Sequence, residues 1–209
     1  MNEDILFWNV DTQIDFIEPT GKLYVKGAEK LKPILKKITL FAAENQIRVI
    51  NTCDFHFINS RELSAHPDFK NSFPPHCMAG TPGAEFIPET KPVLPVIVDW
   101  TAQMAILPYL ANKEQFRNIV IRKDAFDVFE GNPYTQRILN LLRPKRIFVY
   151  GVTTNVCVDK AVCVLAKLGF KVFVLEDAIK ELPKIPLPFK HWKELGVKLI
   201  DAGKAKKYL

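Results

Sequence analysis

Short apolar runs alternate with helical segments along nearly the whole chain, and this alternation limits the possible folds more than any other sequence feature. Runs rich in β-branched and aromatic residues are typical of buried strands. We predict six of them, at residues 5–10, 47–52, 117–122, 146–150, 171–175 and 197–200. The longest predicted amphipathic helix covers residues 28–45. Strands that alternate with helices form a parallel sheet covered on both faces. The sequence therefore predicts one α/β domain over residues 1–209.

Composition argues against several classes of protein. No apolar run approaches the length of a membrane span, and the N-terminus lacks the basic start of a signal peptide, so we expect a cytoplasmic protein with no membrane partner. Four cysteines in a chain of this size do not indicate a disulfide framework. The net charge of +6 comes from dispersed lysines without an arginine–aromatic patch. This pattern favours a solvated basic surface over a nucleic-acid site.

The strand predicted at residues 146–150 leads into a turn and then into a helix over residues 156–167. Cys157 lies at the N-terminus of this helix, where unpaired N–H groups and the helix dipole favour a thiolate. Ligands of open α/β sheets bind outside the carboxyl ends of the strands. Cys157 is therefore a candidate nucleophile. On this turn alone, the alternative of a small buried apolar residue stays open.

Charged residues directly follow two other predicted strands. Asp11 follows the first, where it is a candidate acid or base, although most Asp residues at such positions are turn or cap residues. Lys123 follows the third, as either a surface residue or a fixed cation in a site. The next segment, residues 124–133, contains aromatic side chains that could line a pocket for a flat substrate.

A metal site is predicted after the second strand. Asp54 and His56 are two residues apart, so their side chains can project to the same side and bind one metal ion. A third ligand, His66 or His76 from the following loop, would leave open coordination positions, as in catalytic sites. Ordinary polar loop residues are the alternative.

Taken together, these segments resemble the isochorismatase-like cysteine hydrolases and, within them, the nicotinamidases. The resemblance covers most of the chain and rests on residues 10–16 (VDTQIDF), 53–56 (CDFH), 73–85 (FPPHCMAGTPGAE), Lys123 and residues 151–158 (GVTTNVCV). It implies a six-stranded, mostly parallel sheet in a Rossmann-like strand order.

The resemblance also implies catalytic roles. Cys157 becomes the nucleophile, Asp11 the general base and acid, and Lys123 the cation beside them. It implies a cis peptide between Val152 and Thr153, with the backbone N–H groups of Thr153 and Cys157 forming an oxyanion hole.

Asp54, His56 and His76 align with the family's metal ligands, which leaves His66 without a role. The implied cofactor is one divalent metal ion, with zinc preferred and iron or manganese as alternatives. The implied reaction is hydrolysis of nicotinamide to nicotinic acid and ammonia through a thioester, within NAD salvage, by a homo-oligomer that takes a small aromatic amide. The side chains expected to bind the substrate ring are Phe16, Phe73, Phe126 and Phe129.

Departures from the family pattern leave the substrate open. Asn155 stands where an acidic residue is common, Phe73 replaces a tryptophan, and residues 126–129 differ from the usual nicotinamidase sequence. Another amide or carbamoyl hydrolase of the same superfamily, or a non-catalytic binding protein of the same fold, therefore remains an alternative. The resemblance also implies an insertion at about residues 87–116, acting as a lid or as a subunit contact.

Overall fold

The computed structural model describes residues 4–101, 104–112 and 116–208. Parts of the expected insertion lie outside these ranges. In the described residues, seven strands form one sheet: β1 (Ile5–Val10), β2 (Arg48–Asp54), β3 (Val96–Val98), β4 (Asn118–Lys123), β5 (Arg146–Val152), β6 (Lys171–Lys180) and β7 (Lys198–Ile200). Their spatial order is β3-β4-β2-β1-β5-β6-β7, and every neighbouring pair is parallel.

The predicted strand number of six was wrong by one. The additional strand is β3, which lies at the sheet edge and pairs with β4 in the register Val96↔Ile119. Three apolar residues after a proline-rich segment carry too little periodicity to indicate a strand, and only pairing with β4 gives them extended geometry. Without β3, the remaining strands follow the doubly wound order expected of a Rossmann-like sheet.

Helices cover both faces of this sheet, and their bounds are α1 (Ile14–Ile17), α2 (Lys32–Glu44), α3 (Val128–Gly131), α4 (Thr135–Leu142), α5 (Cys157–Lys167) and α6 (Phe189–Glu194). The long predicted N-terminal helix begins with a 3-10 turn, Ala28–Leu31, and continues as α2. Further 3-10 segments occur at Pro82–Ala84, Met104–Ala111 and Ala202–Tyr208. Among the described helices, none is both long and apolar enough to cross a membrane.

The central strand β1 is buried along its whole length. Leu6, Trp8 and Val10 pack into the layer that contains α4 and α5, whereas Ile5 and Phe7 pack into the layer that contains α2. A strand buried on both faces is largely apolar, which explains the hydrophobic run at the start of the chain. Its one polar side chain, Asn9, is also buried and donates hydrogen bonds to Thr12 and Asn51.

The strand order reverses between β1 and β5, so the crevice at their carboxyl ends is the topological switch point of the sheet. The two strands approach closely there. A Cβ atom on Gly151 would lie 2.0 Å from the carbonyl oxygen of Val10, and the φ angle of Gly151 is +118°. Glycine is therefore required at this position, and the residues after β1 and β5 are brought side by side.

Candidate functional site

Asp11, Lys123 and Cys157 meet at the switch point, each delivered by the end of a different strand. Lys123 Nζ lies 3.0 Å from Asp11 Oδ2 and 3.9 Å from Cys157 Sγ. All three residues are buried. The other carboxylate oxygen of Asp11 accepts a hydrogen bond of 2.6 Å from the Thr52 hydroxyl. The structure thus places a carboxyl group, a cation and a thiol within one buried cluster.

The ionisable groups of this cluster change one another's pKa values. Burial raises the pKa of the Asp11 carboxyl and the pKa of the Cys157 thiol, while the Lys123 ammonium acts against both changes. Burial also opposes the charge of Lys123, but Asp11, Asp54 and Cys157 hold its pKa well above the usual value. The cluster therefore has a buried carboxylate with increased proton affinity, and a fixed cation that stabilises a thiolate once its proton has left.

The turn between β5 and α5 presents backbone donors beside Cys157. The peptide between Val152 and Thr153 is cis, as the family resemblance implied. The N–H groups of Val156 and Val158 both donate to the Thr153 carbonyl. In the part of the chain that the structure describes, no hydrogen bond uses the N–H of Thr153 or of Cys157. Both N–H groups are thus free to donate to a bound ligand.

Asn155 connects this turn to the loop that follows β6. Its Nδ2 donates to the carbonyls of Leu182 and Ile185 at 2.8 Å each, and its Oδ1 accepts from the Leu182 N–H at 3.0 Å. An acidic residue could not donate to the two carbonyls. The departure from the family pattern at this position therefore has a structural role, which is to bind the loop that follows β6.

Asn155→Asp is expected to lower the free energy of unfolding by about 2–3 kcal/mol. The two carbonyl oxygens would lose their hydrogen-bond donor, and a buried carboxylate would face them instead. Urea denaturation would measure the change. Asn140→Asp, at an exposed position of α4, is the matched control and should leave stability nearly unchanged. Equal stability of the two variants would contradict the role of Asn155.

A second cluster, hereafter the metal group, lies beside the first. It consists of Asp54, His56, Glu62 and His76, all buried, with one potential ligand atom from each within 4.8 Å of all the others. His56 Nε2 lies 3.1 Å from Glu62 Oε1, and His76 Nε2 lies 3.5 Å from Asp54 Oδ2. Lys123 connects the two clusters, because its Nζ also pairs with Asp54 Oδ1.

The hydrogen bonds around the metal group leave its ligand atoms free for a cation. His76 Nδ1 donates to the Pro74 carbonyl at 2.8 Å, and His56 Nδ1 donates to Asp124 Oδ1 at 2.9 Å. In a neutral ring, each Nε2 atom therefore carries the lone pair. In the described residues, His56 Nε2 and Glu62 Oε1 are buried and face each other at 3.1 Å without another hydrogen-bond partner. Two imidazoles and two carboxylates fit a divalent ion such as zinc, iron or manganese.

Glu62 was missed by the sequence analysis. It belongs to a polar loop, and no local motif distinguishes it from its neighbours. His66, the alternative third ligand considered from the sequence, is exposed and outside the metal group. The loop between β2 and the His76 segment thus contributes a carboxylate rather than a third imidazole.

Aromatic rings surround the metal group. Phe16 and Phe73 contact the His76 ring, with centroid distances of 5.3 and 6.2 Å, and Phe126 lies 6.4 Å from Phe73. Phe129 instead stacks on the fully buried Trp8 at 6.2 Å. Among the described residues, no ring contact joins Phe129 to the other three phenylalanines. The structure therefore brings three of the four proposed substrate-binding rings together.

Comparisons with known proteins agree with this arrangement. Residues 94–186 match the isochorismatase domain family. The chain is 31% identical over 172 residues to a nicotinamidase/pyrazinamidase of Mycobacterium tuberculosis, covering 80% of this chain and 82% of the relative. A pyrazinamidase of Pyrococcus horikoshii, solved in complex with zinc, superposes with a TM-score of 0.71 at 25% identity over 95% of this chain and 99% of that one. An N-carbamoylsarcosine amidase from Thermoplasma acidophilum superposes with a TM-score of 0.71 at 19% identity, over 95% of this chain and 96% of the amidase. At that identity it shares the fold alone.

Proposed function

The chain belongs to the isochorismatase-like hydrolase family, and on that premise we propose that it is a metal-containing cysteine amidase that hydrolyses nicotinamide to nicotinic acid and ammonia. The observation that carries the proposal is the meeting of Asp11, Lys123 and Cys157 directly beside the buried metal group. The nicotinamidase relative supplies the substrate class, and the grouped phenylalanine rings suit a flat aromatic amide.

In the proposed reaction, Asp11 takes the proton of Cys157 and the sulfur attacks the amide carbonyl. The N–H groups of Thr153 and Cys157 hold the developing oxyanion, a contribution of about 2.7–4 kcal/mol per donor in comparable sites. Asp11 then gives its proton to the leaving nitrogen, so that ammonia departs and a thioester remains. Asp11 next takes a proton from water, which attacks the thioester carbonyl. The C–S bond then breaks, the acid is released, and Asp11 returns its proton to the Cys157 thiolate. Lys123 stabilises the thiolate in both half-reactions.

We assign Asp54, His56, Glu62 and His76 as the residues that hold the metal ion, with zinc preferred because a zinc complex is known for the Pyrococcus relative. When bound, the ion supplies a Lewis-acid position that a ring nitrogen of the substrate can occupy. Phe16, Phe73 and Phe126 then hold the ring next to Cys157 and exclude water from it.

We further propose a cytoplasmic homo-oligomer that acts in NAD salvage, without nucleic-acid or membrane partners. Free cysteines Cys53, Cys77, Cys157 and Cys163 suit a reducing compartment. Exposed apolar side chains at Val93 and Leu94 precede the edge strand β3, and they suit a subunit contact formed by the insertion.

Ammonia release from nicotinamide is the test of this function. We expect turnover by the metal-loaded protein, loss of turnover after chelation, and recovery when zinc is restored, since the ring nitrogen needs its Lewis-acid position. Metal content of the same preparation would be measured by elemental analysis. Hydrolysis of a carbamoyl substrate without hydrolysis of nicotinamide would instead favour the alternative amidase of the superfamily.

A further inference from the structure

The end of β4 contacts three members of the metal group without contributing a ligand. Lys123 pairs with Asp54, Asp124 Oδ1 accepts from His56 Nδ1 at 2.9 Å, and the Phe126 N–H donates to Glu62 Oε2 at 2.6 Å. We propose that Asp124 is a positioning residue of the metal centre, which holds the His56 ring with Nε2 directed at the ion. This inference rests on the proposed metal-containing function.

Asp124 is connected to the loop after β2 in two ways. Besides His56 Nδ1, its Oδ1 also accepts a hydrogen bond from the Ser60 hydroxyl, and Ser60 Oγ in turn accepts from the Phe57 N–H at 2.9 Å. An ionised carboxylate can only accept hydrogen bonds, so a neutral His56 ring carries its proton on Nδ1. The lone pair is thereby fixed on Nε2, the atom that lies 3.1 Å from Glu62 Oε1.

Helix α3 holds Asp124 in place from the other side. A Cβ atom on Gly131 would lie 2.9 Å from the Ala125 nitrogen and 3.1 Å from the Asp124 nitrogen. The backbone of the turn is therefore in close contact with the helix, and it cannot move toward α3. The backbone of Asp124 is thus closely packed against α3, and its Oδ1 accepts two hydrogen bonds. One of these bonds orients the His56 imidazole.

Carboxylates that orient a metal-bound histidine typically change metal affinity by about 10–100-fold when they are removed. We therefore expect Asp124→Ala to raise the dissociation constant for zinc by about 10–100-fold. Asp124→Asn retains an acceptor oxygen for the Nδ1 proton and should recover most of that loss. Glu130→Gln, at an exposed position of α3, is the matched control and should bind zinc like the unaltered protein.

The measurement is competition for zinc between the full chain and a chromophoric chelator, with circular dichroism to verify the fold of each variant. Unchanged zinc affinity in Asp124→Ala would overturn the proposal, and so would an equal loss in Asp124→Asn, because the retained acceptor would then have no effect. Absence of zinc binding by the unaltered protein is a different result. It would overturn the metal centre of the proposed function and this inference with it.

Discussion

Replacement of Cys157 by alanine is expected to lower kcat for nicotinamide hydrolysis by about 10⁶-fold, the size of the loss when the covalent nucleophile of a serine protease is removed. The residual groups can still bind the amide and polarise its carbonyl, but Asp11 and Lys123 would have no sulfur atom to activate. The thioester would not form. Ammonia release measures the rate, and mass spectrometry of acid-quenched protein measures the acyl adduct, which should appear only when Cys157 is present.

Cys163 offers a matched control on the same helix. Its sulfur lies 3.3 Å from Asp159 Oδ1 rather than near the Lys123 cation, so Cys163→Ala should retain normal turnover and the acyl adduct. Turnover by Cys157→Ala at more than a hundredth of the normal rate would be incompatible with a thioester on this residue.

Lys123→Met is expected to abolish turnover and also to lower the free energy of unfolding of the metal-free protein by about 3–5 kcal/mol. Lys123 is buried between the carboxylates of Asp11 and Asp54 and beside the Cys157 thiol. Methionine fills a similar volume but leaves the two buried carboxyl groups without their ammonium partner. Removing one partner of a buried ion pair is strongly destabilising for that reason.

Urea denaturation of chelator-treated protein would measure this loss. Lys145→Met is the control, because Lys145 forms a surface ion pair of 3.1 Å with Asp4 and its side chain is 73% exposed. Pairs of this kind contribute about 0–1 kcal/mol. If the two variants were equally stable, the buried cation would have no structural role, and normal turnover in Lys123→Met would also exclude a catalytic one.

The parts of the site that lie at strand ends could be predicted from the sequence. Asp11, Lys123 and Cys157 each follow an apolar run closely, and a parallel sheet brings the carboxyl ends of its strands to one edge. Their location at one edge of the sheet therefore follows from strand prediction alone. Their mutual distances do not, because they depend on the strand order and on the close approach of β5 to β1 at Gly151.

The parts that lie in loops could not be predicted in this way. Glu62 reaches the metal group and Asp124 reaches His56 only through the folded course of two loops, and loop conformation has no periodic signal in sequence. Phe126 and Phe129 illustrate the same limit. They are three residues apart in one segment, yet one faces Phe73 and the other stacks on Trp8.

The position of the Asp11–Lys123–Cys157 cluster at the centre of the sheet affects the order of events in refolding. Asp11 and Cys157 come together only when β1 pairs with β5, the strand that begins at Arg146. Closing so long a loop costs considerable chain entropy, and such pairings form slowly. Native-like helix content would therefore return before catalysis does in a refolding experiment. The time course of ammonia release after dilution from denaturant would report the pairing of β1 with β5.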